Sequence, residues 1–158
     1  MSDLKYNLAF IRLMDIEGGE VNDPDDPGGR TKFGISSRYH PEVDLDSLTL
    51  EKANEFYRRE YWDKNNIDLI DNHEIAQRVF IFCVNPGGKK AIVNLQKAAT
   101  ILGASLSIDG ILGPKTAAWV NKYRHQLSLL AAFRCLCNKW YIDHAKAKYI
   151  AGWLARLE

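Results

Sequence analysis

The stretch EGGEVNDPDDPGGRTKFGIS occupies residues 17–36. Its first ten positions hold two glutamates and three aspartates, set among prolines and glycines. Proline fixes φ and glycine permits positive φ, so both residues favour tight turns. Gly18 and Gly19 are also well suited to end a helix, because glycine adopts the left-handed cap conformation without strain. The stretch therefore predicts the end of a helix followed by a rigid, acidic loop.

Most of the remaining chain has helical periodicity. Apolar residues before the acidic loop follow a helical stripe and predict an amphipathic first helix. They are Leu4, Leu8, Ile11 and Ile16, with Tyr6, Phe10, Leu13 and Met14 between them. A second helix is expected to start with Thr49 as its N-cap and to run through Trp62. Further helices are predicted at about 73–84, 89–102, 115–124 and 127–157. The fold class expected is all-α.

Composition and charge exclude several classes of protein. The chain of 158 residues has the size of one ordinary domain, and its net charge of +1 provides no overall field that would attract nucleic acid. No apolar run reaches the roughly 18 residues that a membrane-spanning helix needs, and the N-terminus lacks the pattern of a signal peptide. We therefore expect a monomer that is made in the cytoplasm and does not insert into membranes. Three cysteines without a C-x-x-C motif indicate reduced thiols.

The acidic loop fits the chemistry of glycosidic cleavage. That reaction needs a protonated carboxylic acid beside the leaving oxygen and a second carboxylate that positions water or stabilises positive charge. Packing and helix C-terminal carbonyls would both raise the pKa of Glu17, whereas a polar, turn-rich loop would leave Asp26 ionised. Asp23 and Asp25 lie in the same loop and are alternatives for the second carboxylate. The separation of the pair distinguishes inverting from retaining enzymes, and both remain alternatives at this point.

A turn-forming role and a calcium site are two other interpretations of the loop. Aspartates beside proline and glycine are common turn formers, and that role stays open. A calcium-binding EF-hand that starts at Asp23 would place Pro27 at position five and Gly34 at position twelve, where a bidentate glutamate is required. No metal or cofactor is therefore expected.

The run from Glu17 to Ser36 resembles the signature EGGYVNDPxDPGGxTxYGIS of glycoside hydrolase family 108, a group of bacterial and phage N-acetylmuramidases. Three later blocks also resemble that family: YRREYWDK at 57–64, VFIFCVN at 79–85 and AGWLAR at 151–156. The resemblance implies a lysozyme-like helical fold and cleavage of the β-1,4 bond between N-acetylmuramic acid and N-acetylglucosamine in bacterial peptidoglycan. It also implies that Glu17 is the general acid and that Asp26 and Thr31 hold or activate water.

A second resemblance lies in the C-terminal half of the chain. The segment SIDGILGPKTAAWV at 107–120 is similar to the DGxxGPxT turn of peptidoglycan-binding domains. NPGGKK at 85–90 is a plausible seam, because proline and glycine interrupt two predicted helices there. We expect a lysozyme-like catalytic region over residues 1–86 and a helical peptidoglycan-binding-like region over 87–158, packed on it.

Several residues are candidates for contact with the glycan. Sugar clefts combine aromatic faces with polar groups, which makes Tyr61 and Trp62 the preferred aromatic candidates; Asp23, Asp25 and Asn85 are the polar ones. Two departures from the family pattern stand in the helix at 73–84 and directly after it. Ile81 replaces a residue that is often acidic and Pro86 replaces a small one, which argues against a helper role for that helix.

Alternative functions remain open. A lytic transglycosylase would use Glu17 as both acid and base and leave an anhydro sugar. A noncatalytic peptidoglycan-binding or secretion-associated protein would keep the cleft without turnover. The expected place of action is the cell wall or periplasm, reached through a holin, as for a bacteriolytic phage endolysin, or through a secretion system.

Overall fold

The structure is a computed structural model that describes residues 2–17, 20–21, 30–144 and 150–156. The α-helices are α1 (Ser2–Glu17), α2 (Leu50–Tyr57), α3 (His73–Val84), α4 (Gly88–Ile101), α5 (Pro114–Lys122), α6 (Gln126–His144) and α7 (Ile150–Ala155). A π-helix (Arg58–Asp63) continues α2, and a 3₁₀ turn (Ile67–Leu69) precedes α3. Three two-residue strands, β1 (Glu20–Val21), β2 (Thr31–Lys32) and β3 (Ile35–Ser36), form an antiparallel sheet in the order β1-β2-β3. The predicted all-α class is confirmed. In the described part of the chain, no helix has the length and apolarity needed to cross a membrane.

Helix α1 forms where the sequence predicted it, but part of the predicted stripe is on the wrong face. Leu4 and Ile11 are 65% and 58% exposed, whereas Tyr6 and Leu13 are fully buried. The helix carries apolar residues on two sides, and the core selects the side with the aromatic rings. Tyr6 packs edge-on against Trp62 at 5.3 Å between ring centroids, and such aromatic pairs add to the stabilisation from burial alone.

Helix α3 is the central helix of the fold. Its N-terminus is capped by Asn72, whose side-chain oxygen accepts hydrogen bonds from the backbone N–H groups of Glu74 and Ile75. An unbroken buried run over 79–83 packs against α1 on one side and α4 on the other. One hydrophobic core therefore continues through the turn at Gly87, whose φ of 94° lies in the region that favours glycine.

The prediction of one long helix over 127–157 is wrong. Trp140 in α6 and Trp153 in α7 stack with ring centroids 6.3 Å apart. A continuous helix rises about 1.5 Å per residue, which would put two such residues roughly 20 Å apart along the axis. Helix α7 thus packs back on α6, and Tyr141 joins the contact edge-on to Trp153 at 5.4 Å. The apolar pattern of the segment is that of two helices sharing one aromatic interface.

Candidate functional site

The acidic loop joins two strands whose backbones are paired. Glu17 is the last residue of α1, and β1 pairs with β2 in the register Glu20↔Lys32 and Val21↔Thr31. The pairing places Val21 opposite Thr31, on either side of the acidic segment in the sequence. Asp23, Asp25 and Asp26 lie outside the described residues, as does the side chain of Glu17. The predicted roles of these four carboxylates stay predictions.

Thr31 is placed by the structure at the point where the acidic loop re-enters the sheet. It is half-buried in β2. Both neighbours of Thr31 are held by contacts with the segment that precedes α2. Arg30 pairs with Asp46, and the Lys32 ammonium donates to the Leu45 carbonyl at 3.2 Å. The hydroxyl of Thr31 therefore sits on a strand with both flanking residues fixed, which suits a group expected to position water.

A tight hairpin turn supports the same strand. Phe33 and Gly34 connect β2 to β3 with φ values of 51° and 77°. Positive φ at both central residues is the conformation of a type I′ turn, whose twist matches that of antiparallel strands. The hydroxyl of buried Tyr57 donates to the Phe33 carbonyl at 3.0 Å, so α2 holds the turn in place although Phe33 is a non-glycine residue at positive φ.

Tyr61 is half-buried and takes part in a chain of polar contacts. Its hydroxyl lies 3.3 Å from Nε2 of His40, and Nδ1 of His40 lies 3.1 Å from Oε1 of Glu42. Burial raises the pKa of the Tyr61 phenol above its usual value, so the hydroxyl stays protonated at neutral pH. Sequence reasoning named Tyr61 but missed His40 and Glu42, because the contact spans 21 residues and follows no motif.

Trp62 does not offer a face to a ligand, contrary to expectation. It is 1% exposed, and its ring packs edge-on against Tyr6 and Phe80 at 5.3 and 5.6 Å. The π-helix that follows Tyr57 turns this indole toward the core. Trp62 is therefore a packing residue in this structure, and Tyr61 is the member of the pair that reaches the surface.

Asn85 has a buried side-chain hydrogen-bond donor that is unpaired within the described residues. It caps the C-terminus of α3, where its backbone N–H donates to the Phe82 carbonyl at 3.2 Å. Its Nδ2 is buried and has no hydrogen-bond partner within the described ranges. Leaving such a donor unpaired costs about 1–3 kcal/mol, which is consistent with a group that pairs when a ligand or water is present.

The DGxxGPxT-like turn is organised around one buried glutamine. Gln96 of α4 donates from Nε2 to Oδ1 of Asp109 at 2.8 Å, to the Ile111 carbonyl at 3.1 Å and to Oγ1 of Thr116 at 3.3 Å. Its Oε1 accepts from the Gly110 backbone N–H at 2.9 Å. Asp109, Gly110 and Thr116 of the turn thus all contact Gln96, and these contacts fix the entry of α5.

The described residues give no support to cysteine or metal chemistry. Cys83 is fully buried, and desolvation raises the pKa of its thiol, which makes a nucleophilic thiolate unfavourable. Among residues 2–17, 20–21, 30–144 and 150–156, no group of three His, Cys, Asp or Glu side chains is placed to hold a metal ion.

Both halves of the chain are similar to known sequence families. A sequence model described as "Glycosyl hydrolase 108" matches residues 10–87, and one described as "Predicted Peptidoglycan domain" matches residues 90–158. The solved "Structure of Brucella abortus SagA" is similar with a TM-score of 0.81 and 26% identity, over 98% of this chain and 90% of that chain. This similarity supports the lysozyme-like helical fold. No curated protein sequence matches the chain. Residues 10–87 therefore belong to the glycosyl hydrolase 108 family, followed by a peptidoglycan domain at residues 90–158, and the function is related to peptidoglycan.

Proposed function

We propose that the protein is an N-acetylmuramidase that hydrolyses the β-1,4 bond between N-acetylmuramic acid and N-acetylglucosamine, with Glu17 as the general acid. The observation that carries the proposal is the position of Glu17 at the last residue of α1, directly before the paired strands that hold the acidic loop, inside the matched hydrolase region. A carboxylic acid at a helix C-terminus faces unpaired carbonyls, which favour its protonated form.

The proposed reaction divides the work between two groups. Glu17 donates its proton to the glycosidic oxygen as the bond to the anomeric carbon breaks, and the departing sugar leaves as a neutral alcohol. Asp26 accepts a proton from water while the water oxygen attacks the anomeric carbon, with Thr31 hydrogen-bonded to that water. Asp23 and Asp25 are the alternatives to Asp26. Tyr61 and Asn85 are the proposed contacts to the glycan, since one offers a partly exposed ring with a neutral hydroxyl and the other an unpaired amide donor.

Product analysis of Glu17→Gln tests the proposal. Purified peptidoglycan is digested with the wild type, Glu17→Gln and the matched control Glu55→Gln, which changes an exposed glutamate of α2. Muropeptides are then identified by mass spectrometry. We expect reducing ends at N-acetylmuramic acid from the wild type and the control, and a rate at least roughly 10²-fold lower for Glu17→Gln.

The other outcomes separate the competing functions. Anhydro-muramic products would assign the chain to the lytic transglycosylases. Release by none of the three proteins, with binding to sacculi retained, would assign a noncatalytic peptidoglycan-binding role. Full activity of Glu17→Gln would show that the general acid lies elsewhere.

A further inference from the structure

An open pocket of about 300 Å³ lies at the C-terminal end of α5 and is lined by Trp119, Lys122, Tyr123, Arg124 and His125. It falls within the range that matches the peptidoglycan domain. None of its lining residues takes part in the Gln96 network or in the contacts of the acidic loop described above. The pocket is therefore a separate feature of the C-terminal half.

Aromatic rings form one wall of the pocket. Trp119 and Tyr123 stand one helical turn apart and stack with centroids 4.7 Å apart and an interplanar angle of 18°. His125 meets Tyr123 edge-on at 5.9 Å. Trp119 and Tyr123 are both partly exposed. A rigid, partly exposed aromatic pair presents an apolar surface of the size of a sugar ring.

The backbone that carries these rings is held before any ligand binds. The Tyr123 N–H donates to the Trp119 carbonyl at 3.0 Å, and Nε2 of Gln126 donates to the carbonyls of Val120 and Tyr123 at 2.8 and 2.5 Å. Asn121 ties the same helix to the loop before α3 through bonds of 2.9 Å to Leu69 and Asp71. Binding to a preorganised wall loses little conformational entropy.

The lining of the pocket also includes two cations and no carboxylate. Lys122 and Arg124 are exposed, and neither forms an ion pair within the described part of the chain. By contrast, the exposed Lys64 and Lys139 pair with Glu60 and Asp143. Aromatic rings and two cations without ion-pair partners among the described residues suit a ligand that has an apolar ring face and a carboxylate nearby.

We propose that this pocket binds a muropeptide, with an N-acetylated sugar ring against Trp119 and Tyr123 and a stem-peptide carboxylate against Lys122 and Arg124. The proposal rests on the proposed function in that both take peptidoglycan as the ligand. It assigns to the C-terminal half a second glycan contact that holds the substrate while Glu17 acts on another bond of the strand.

Binding measurements in a hydrolytically inactive background test the pocket apart from catalysis. The full chain carrying Glu17→Gln is titrated by calorimetry with a disaccharide tripeptide muropeptide and with the neutral tetramer of N-acetylglucosamine. The pocket is altered by Lys122→Ala with Arg124→Ala, and by Trp119→Ala. Lys115→Ala is the matched control, because Lys115 is an exposed cation on the same helix outside the pocket. Thermal unfolding of each variant checks that the fold is retained.

We expect the muropeptide to bind more tightly than the neutral tetramer, and the double variant to weaken muropeptide binding roughly tenfold while Lys115→Ala leaves it unchanged. Trp119→Ala should weaken both ligands. Equal binding of the two ligands would overturn the carboxylate contact. Unchanged muropeptide binding in the folded double variant would overturn the pocket, even if the wild type hydrolyses peptidoglycan. A wild type without hydrolytic activity would refute the proposed function and leave the binding result intact.

Discussion

Replacing Gln96 with leucine removes the side chain that holds the turn before α5. Gln96 is 1% exposed, and leucine fills a similar volume without any polar atom. The buried Gly110 N–H loses its acceptor at 2.9 Å, and an unpaired buried donor costs about 1–3 kcal/mol. The Ile111 carbonyl and the buried Thr116 hydroxyl lose a shared donor at 3.1 and 3.3 Å, worth about 1 kcal/mol more. Loss of the bond to Asp109 adds little, since that exposed carboxylate can bind water instead.

The expected loss of unfolding free energy is therefore roughly 2–4 kcal/mol. For a chain of this size, that loss corresponds to a fall in Tm of about 5–15 °C. Urea unfolding followed by circular dichroism measures the first quantity and calorimetry the second. The hydrogen bond from Gln96 is also the largest cause of the lowered pKa of Asp109, so NMR titration of Gln96→Leu should find this pKa higher than in the wild type. A loss below about 0.5 kcal/mol, the usual range of a surface substitution, would refute the assignment of Gln96 as the organising residue.

Two further predictions concern the N-terminal half. Trp62→Ala should lower the unfolding free energy by about 3–5 kcal/mol through loss of core packing. Tyr61→Phe should change it by no more than about 1.5 kcal/mol, because one hydroxyl contact is lost. Urea unfolding of both variants checks this, and an unfolding free energy of Trp62→Ala equal to that of the wild type would contradict the buried position of Trp62. Acidification should destabilise the protein below about pH 4.5, because hydrogen bonds from Arg59 and Lys64 hold the pKa of Glu60 below its usual value of 4.5. A lowered folded pKa contributes stability above the unfolded value and loses it as the pH falls through the folded one. Glu60→Gln should weaken this pH dependence in urea titrations between pH 3 and 6, and an unchanged profile would exclude Glu60 as a contributor.

The sequence predicted best those elements whose local signals agree. Helix α3 has the bounds predicted for it, because Asn72 caps its start, Pro86 and Gly87 follow its end, and its second half is a continuous apolar run. The N-cap at Thr49 was predicted for the same reason and is confirmed by a 3.3 Å bond from the Lys52 N–H. Where the capping residues, the apolar pattern and the helix-breaking residues all indicate one element, tertiary contacts change its bounds little.

Helical periodicity alone did not predict the buried face of a helix that has apolar residues on more than one side. Helix α1 has apolar residues on opposite sides, so the buried side depends on which neighbours supply aromatic partners, here Trp62 and Phe80. The same ambiguity hid the pocket at Trp119 and Tyr123, since their helical spacing is equally typical of core residues. The contact of Tyr61 with His40 could not be predicted either, because it depends on how the segment after β3 packs against the π-helix.

The strand that follows the acidic loop is held by several independent contacts, as the proposed function requires. A loop that only joined two elements would need no more than a turn, whereas the strand that receives this one is fixed by the β1 pairing, by Lys32 at Leu45 and by Tyr57 at the Phe33 carbonyl. Each such bond contributes about 1 kcal/mol, and together they oppose the strain of Phe33 at positive φ. Cleavage of a glycosidic bond requires its two carboxyl groups at a defined separation. Glu17 ends a packed helix and the strand at Thr31 is held by three separate contacts. If the proposed function holds, we expect Thr31 and the second carboxylate to act from the strand side of the loop.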